Sequence, residues 1–297
     1  MLQFKLIELG DKLMYQKYSK CQGHHNIEAS FANKYIWLET YKTRMAVDDG
    51  AMYQLLCDEK RHFMLPPFML DCHASIRPMM EKCEQYMEKE CGAFMIKGVT
   101  ADILAKIEND CPGIYEFTPD RDNFDYMYLS EDLATLQGKK FHAKRNHINK
   151  LLKDHTYEYR AYSDGDYDAC IALHRRWTEQ KGGCSESDEE LIVVERALQN
   201  LEVLELICGV LFIDGRLEAF SVGEKAGCDM AIIHLEKANP DIQGAYALIN
   251  REFVQHEFAD VKYINREEDM GIEGLRKAKL SYNPVFLLEK FDCVRKR

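Results

Sequence analysis

Three stretches of this 297-residue sequence combine residue types and spacings that could do chemistry. The first runs from Ile232 to Tyr246, where a strand pattern ends, Pro240 turns the chain and a helix opens with Gln243-Gly244-Ala245. The first-turn amides of a helix have no internal acceptor and sit at the positive end of its dipole. Gly244 and Ala245 leave that backbone uncovered, so a pyrophosphate could approach it, with Lys237 adding a charge. The same small residues also suit an ordinary strand-to-helix turn that packs tightly.

The second stretch runs from Asn265 to Pro284. Glu267, Glu268 and Asp269 follow a strand and precede a helix flanked by Gly271 and Gly274. Acids at that place favour the helix dipole; they could equally present a carboxylate in the crevice where open sheets bind ligands. Tyr282 closes the helix and could give a proton, while Arg276, Lys277 and Lys279 read as a solvated face. The third stretch puts Lys139, Lys140, Lys144, Arg145, Lys150 and Lys153 into fifteen residues, with no acid before Asp154. This run is either an exposed helix face or a focused positive spot that grips a phosphate or anionic substrate. With Phe141 alone as an aromatic platform, it does not read as a nucleic-acid surface. His24-His25 has no spaced partners, and His174 and His256 fall within helical patterns. No metal site is expected.

These stretches need elements to position them. Tyr35–Glu39 reads as a strand, followed by the turn Asp48-Asp49-Gly50 and strands at Met52–Cys57 and Phe63–Leu65. Ile76–Cys91 has helical spacing through Met80, Cys83 and Met87. Ala93–Val99, Tyr115–Thr118 and Tyr126–Leu129 read as strands and Ala101–Asn109 as a helix. Beyond the basic run come a strand at Glu158–Tyr162, a helix at Tyr167–Gln180 stopped by Gly182-Gly183, and a helix opened by the capping pattern at Ser187. A hairpin over Leu204–Gly223 turns at Asp214-Gly215. Then follow strand Met230–Glu236, helix Asp241–Phe258, strand Val261–Asn265, helix Ile272–Ser281 and strand Val285–Phe291. Each half holds a strand–turn–strand unit with an Asp-Gly or Asp-Asp-Gly turn, which suggests an internal duplication.

Composition bounds the partners. The formal charge is −11 and the pI near 5.5, which argues against a general polyanion binder. The 11 cysteines are odd in number and lack CxxC spacing, as expected of thiols in a reducing cytoplasm. No apolar run is long enough to span a bilayer, and the first residues lack the apolar core of a secretory signal.

The segments YINREEDMGIEGLRKAKLSYNP, HLEKANPDIQGAYALINREF and GKKFHAKRNHINKL together resemble the phosphatidylglycerol lysyltransferase C-terminal-domain family, a tandem-GNAT group related to the Fem peptidyltransferases. The resemblance covers nearly the whole chain and is most specific over residues 128–290. It implies an α/β (α+β) fold of two GNAT-like lobes, 1–140 and 141–297, each a mixed, mostly antiparallel sheet flanked by helices. It further implies CoA or acyl-CoA on the turn after the fourth strand of a GNAT unit, here served by Leu235, Lys237, Ala238, Asn239, Gln243, Gly244, Ala245 and Tyr246. With Gly244 as the central glycine of [RQ]-x-x-G-x-[GA], Asp241 and Tyr246 stand at the outer positions, so the match is partial. Tyr282 would protonate the departing thiolate. A carboxylate would be the base, with Glu268 first, then Glu236, and with Glu224 and Asp269 also at strand ends. Lys140, Lys144, Arg145, Asn146, Arg266 and Asp269 would hold the substrate.

The expected activity is transfer of an acyl group from acyl-CoA to an amine of a small molecule or peptide, by a cytoplasmic monomer or homodimer with no integral membrane segment. The alternatives are an aminoacyl-tRNA-dependent transferase, which the single basic patch disfavours, and a catalytically silent CoA-binding module.

Overall fold

A computed structural model describes residues 2–20, 26–58, 61–180 and 185–296 of the chain. His24-His25 and Gly182-Gly183 lie outside them, as does the side chain of Ser187. In chain order the elements are β1 (Lys5–Leu6), α1 (Lys12–Ser19), α2 (Phe31–Ile36), α3 (Leu38–Tyr41), β2 (Arg44–Asp48), β3 (Ala51–Asp58), β4 (Arg61–Met64), β5 (Phe68–Met69), α4 (Arg77–Glu90), β6 (Ile96–Thr100), α5 (Ala101–Asp110) and β7 (Tyr115–Pro119). There follow β8 (Asp125–Leu129), α6 (Ser130–Thr135), α7 (His142–Asp154), β9 (Tyr157–Ala161), α8 (Tyr167–Gln180), α9 (Ser185–Gln199), α10 (Leu201–Leu204), β10 (Ile207–Ile213), β11 (Arg216–Ala226) and β12 (Met230–Ala238). The chain ends with α11 (Ala245–Glu257), β13 (Tyr263–Asn265), α12 (Glu273–Leu280), β14 (Phe286–Leu288) and β15 (Lys290–Arg295).

Two units result. One comprises residues 1–125, 268–273 and 287–297, and the other 126–267 and 274–286. This division differs from the single cut expected between residues 140 and 141. Residues 127–129 of β8 pair with β13 of the second unit, and the C-terminal strand β15 pairs with β6 and β7 of the first. Contiguity in sequence therefore does not give contiguity in space here.

Among the described residues the first sheet is eight-stranded, in the order β1-β2-β3-β4-β6-β15-β7 with β5 on β3, and the second is seven-stranded, in the order β14-β8-β13-β12-β11-β10-β9. Both are mixed and mostly antiparallel: β4 with β6 and β12 with β13 are parallel pairs. The expected α/β class with two helix-flanked sheets holds. No described helix is long and apolar enough to cross a membrane.

Local chemistry accounts for most elements. The two hairpins turn on Asp49-Gly50 and Asp214-Gly215, all four residues with positive φ, the backbone that matches strand twist in two-residue turns. Helix α4 buries Met80, Cys83 and Met87 on one face, against Tyr53, Ile96 and Cys293 of the first core. The described cysteines are free, and Cys83, Cys111, Cys170, Cys208 and Cys293 are buried as small apolar fillers.

The expected strand at Tyr35–Glu39 is instead part of helices α2 and α3. The Ser30 side chain accepts from the Asn33 amide at 2.9 Å, an N-cap that overrides the β preference of aromatic residues. Helix α11 begins at Ala245 rather than Asp241. The Asn239 side chain accepts from the Asp241 amide at 3.0 Å, its carbonyl accepts from Ile242 at 3.2 Å, and the chain turns through Gly244 at φ 103°.

Strand β15 brings a charge into the first core. The Lys290 ammonium is 2% exposed and lies 2.6 Å from Asp125 Oδ1 and 3.3 Å from Glu28 Oε1; Glu28 also pairs with Lys34. Burial opposes ionisation of Glu28, but Lys34 and Lys290 outweigh it and hold the carboxyl down to about 2. Removing one partner of such a group strands the others in low dielectric. Lys290→Met is therefore expected to lower unfolding stability by about 3–5 kcal/mol in urea denaturation, with part of that loss recovered in Lys290→Met/Asp125→Asn.

Candidate functional site

Strands β12 and β13 run parallel for three residues, Met230–Ile232 opposite Tyr263–Asn265. There β13 ends, and the Arg266 amide turns to donate to the Tyr126 carbonyl at 3.0 Å, while β12 continues to Ala238. Residues leaving the two strand ends make a polar cluster in the second unit.

Arg266 is its centre. Its Nη2 donates to Glu236 Oε1 at 2.9 Å, and the fully buried Asn250 of α11 donates to Glu236 Oε2 at the same distance. Both charged side chains are about nine-tenths buried. The guanidinium lies 4.6 Å from the Tyr282 ring centroid and 5.7 Å from that of Tyr128. Its Nη1 is buried with no hydrogen-bond partner among the described residues.

Tyr282 is held in place by its neighbours in sequence. Lys279, expected on a solvated face, is buried; its Nζ donates to the Arg266 carbonyl at 2.5 Å and its own carbonyl accepts from the Tyr128 hydroxyl at 2.8 Å. Tyr282 is buried, and burial pushes its hydroxyl above the ordinary tyrosine range against the Arg266 charge and hydrogen bond beside it, with Glu236 adding to the rise.

The cations of the basic run diverge. Lys140 pairs with Asp132 at 2.6 Å, Arg145 donates to the carbonyls of Leu136 and Gly138, Lys150 donates to Gln243, and Asn146 is exposed beside His142. Lys144 alone among these turns to the cluster, with Nζ 3.7 Å from the Tyr282 ring centroid. Burial, with the Arg266 charge beside it, lowers the Lys144 amine to about 8 against a smaller opposing pull from Glu236.

The β12–α11 turn is internally occupied. Lys237, the candidate phosphate partner, is buried, lies 2.5 Å from Glu190 and rests 3.6 Å above the Trp177 ring. Asn239 donates to Glu218 at 2.9 Å, and Gln243 bridges His147 and Lys150 at 3.0 Å each. Leu235 and Ala245 are buried, and the Leu235 carbonyl accepts from Ser221. Burial pushes the Tyr246 hydroxyl up to about 12, against hydrogen bonds with the Ala238 main chain and the Trp177 side chain. Gly244 lies against α7: a Cβ there would come within 2.6 Å of the His147 carbonyl. The side of Gly244 that a side chain would occupy is thus filled by a neighbouring helix.

Of the sequence candidates, Glu236, Tyr282, Lys144 and Arg266 come together. Glu268 and Asp269 belong to the first unit, where Glu268 acts electrostatically on Lys290 and the buried Asp269 pairs with Arg121 at 3.1 Å. The chain leaves the second unit after Glu267, which has positive φ, so three consecutive acids are split between units. Asn250 and Tyr128 were not singled out in sequence; each looks like one more residue of an amphipathic helix or an apolar strand. His174 is buried beside Trp177, and His256 is exposed and stacks on Tyr159. No described group of His, Cys, Asp and Glu is arranged to hold a metal ion.

His234 also carried no sequence role. Its ring is fully buried where the β11–β12 register shifts, with Nδ1 2.8 Å from Glu267 Oε1 and Nε2 3.1 Å from Glu224 Oε1. Burial disfavours the charged ring, but the two carboxylates dominate and raise it to about 9. Because the folded value lies above the unfolded one, this contribution is complete below about pH 6.5 and is lost as pH rises through 9. Stability is expected to fall by about 2–3 kcal/mol over that window, and His234→Gln should flatten the slope in urea melts taken between pH 6 and 10.

Comparison with known proteins adds the lineage. A solved structure of a conserved protein of unknown function from Bacteroides thetaiotaomicron is similar over 100% of both chains, at 36% identity and a TM-score of 0.91. The structure of L-PGS from Bacillus licheniformis is similar over 88% of this chain and 90% of that one, at 15% identity and a TM-score of 0.60. A tandem GNAT protein from the clavulanic acid biosynthesis pathway matches over 99% and 98%, at 9% identity and a TM-score of 0.55. The last two show likeness of fold, here a tandem GNAT-like one. An uncharacterised curated relative from Mycoplasmoides gallisepticum is 21% identical over 170 residues, which is 56% of this chain and 54% of the relative, so about half its length is spanned. The family model described as phosphatidylglycerol lysyltransferase, C-terminal, matches residues 21–294, and the chain belongs to that family.

Proposed function

We propose that this chain is an acyltransferase whose reaction takes place at the Arg266–Lys144 cluster, and that its donor is an activated ester of the aminoacyl-tRNA kind ahead of an acyl-CoA. The observation that carries the reading is a buried, pre-oriented guanidinium whose Nη1 has no hydrogen-bond partner among the described residues, beside an amine lowered to about 8. Family membership supports acyl-type transfer, and its name specifies a lysyl group. The fold's likeness to a tandem GNAT protein keeps the CoA donor as the second reading. The occupied turn at Lys237, Asn239 and Gly244 favours the ester.

In this scheme the acyl carbonyl oxygen meets Arg266 Nη1. Glu236 already orients the guanidinium, so little reorganisation is needed as negative charge develops. The attacking acceptor, an amine of a small molecule or peptide, must lose a proton. Lys144 is deprotonated often enough near neutrality to take it. Glu236 and Tyr282 position these two cations; in this scheme Tyr282 does not give a proton.

The test is transfer of labelled acyl groups by the purified full chain from lysyl-tRNA, a mixed aminoacyl-tRNA pool and acetyl-CoA, with small amines, peptides and phosphatidylglycerol vesicles as acceptors. Transfer from an aminoacyl-tRNA is expected, with a rate that rises with pH about a midpoint near 8 and falls about a hundredfold in Lys144→Met. Transfer from acetyl-CoA alone would replace the donor assignment. A pH profile unchanged by Lys144→Met would remove the proton role.

A further inference from the structure

An amine that gives up its proton near neutrality is also a nucleophile. Desolvation and a neighbouring cation are the two devices that activate lysines in this way. Lys144 has both. It is half-buried on α7 with its Nζ on the face of Tyr282, and Arg266 covers the same ring. The charged and titratable groups that act on it come from three elements: Arg266 after β13, Glu236 on β12, and Tyr282 after α12. No carboxylate among the described residues forms an ion pair with it, whereas Lys140 is paired with Asp132 and Lys237 with Glu190. Lys139 and Lys153 of the same run are exposed.

We infer that Lys144 is itself an acylation site, modified on Nζ by the activated acyl esters or thioesters that reach the cluster. The Nζ lone pair attacks the carbonyl carbon. A C–N bond forms, and the C–O bond of an ester or the C–S bond of a thioester breaks. The electron pair leaves with the oxygen or sulfur, and the proton shed by nitrogen passes to that leaving group. No oxidant or reductant is involved. The product is a neutral amide, which cannot take a proton from an acceptor, so acylation of Lys144 switches off transfer. The biological consequence rests on the proposed activity; the reactivity of the amine does not.

The experiment uses the wild-type full chain and p-nitrophenyl acetate, a small ester that needs no donor-binding site. Sites of acetylation are read by peptide mass spectrometry as a function of time and pH. Lys144 is expected to react on the order of tenfold faster than Lys139 and Lys153 at pH 7.5, with a rate that rises through a midpoint near 8. Parallel samples carrying acetylated Lys144 should lose transfer activity in proportion to occupancy. Acetylation of Lys144 no faster than that of the exposed lysines would overturn the inference. Preferential acetylation together with failure of every donor would leave the modification site standing and reject the proposed transferase. Full transfer activity at high occupancy would reject the switch.

Discussion

The ion pair between Arg266 and Glu236 is the constraint on which the candidate site depends. Each charge is nearly out of water, where an uncompensated ion is far more costly than an exposed one. The pair therefore has to form, and forming it ties the residue after β13 to the seventh residue of β12, with Asn250 of α11 locking the carboxylate from behind. Tyr128 and Tyr282 then meet a guanidinium whose plane is already set, and Lys279 closes the arrangement through the Arg266 carbonyl. One electrostatic requirement thus orients parts of two strands, one helix and the segment after another.

The same burial makes Lys144 reactive. On an exposed helix face its amine would be protonated throughout the physiological range. Half-buried beside Arg266, with Glu236 as the opposing carboxylate, the charged form is disfavoured. The six cations of residues 139–153 look equivalent in sequence, yet neighbouring carbonyls, carboxylates and amides engage Lys140, Arg145 and Lys150 and leave Lys144 to the cluster. Position on α7 and partner supply, rather than residue type, separate a reactive lysine from structural ones.

The turn between β12 and α11 shows how a motif can be present in form while its surroundings differ. Gly244 does adopt a backbone that favours glycine, as a helix-opening turn requires. The glycine also permits close approach, but in this structure the group that approaches is the His147 carbonyl of α7. The helix N-terminus physics is general, whereas an open cradle depends on what the rest of the fold packs against it.

Much of the fold was legible from local pattern. The apolar periodicities of α4, α8 and α11, the alternation of β9–β12 and the two Asp-Gly hairpins are properties of short segments, set by side-chain direction and turn conformation. Glu236, Arg266, Tyr282 and Lys144 could be picked out as chemistry-bearing residues because charged and aromatic groups stand beside strand and helix ends. Their assembly could not be read, since it depends on pairing between segments 14 to more than 100 residues apart. The N-cap at Ser30 overrode an aromatic strand pattern, the segment 268–273 falls in the first unit and takes Glu268 and Asp269 with it, and Lys237 and Lys279 are buried rather than exposed. The sequence by itself determined the elements and the inventory of reactive groups; tertiary structure decided which charges leave water together, because desolvation and pairing are properties of space rather than of chain order.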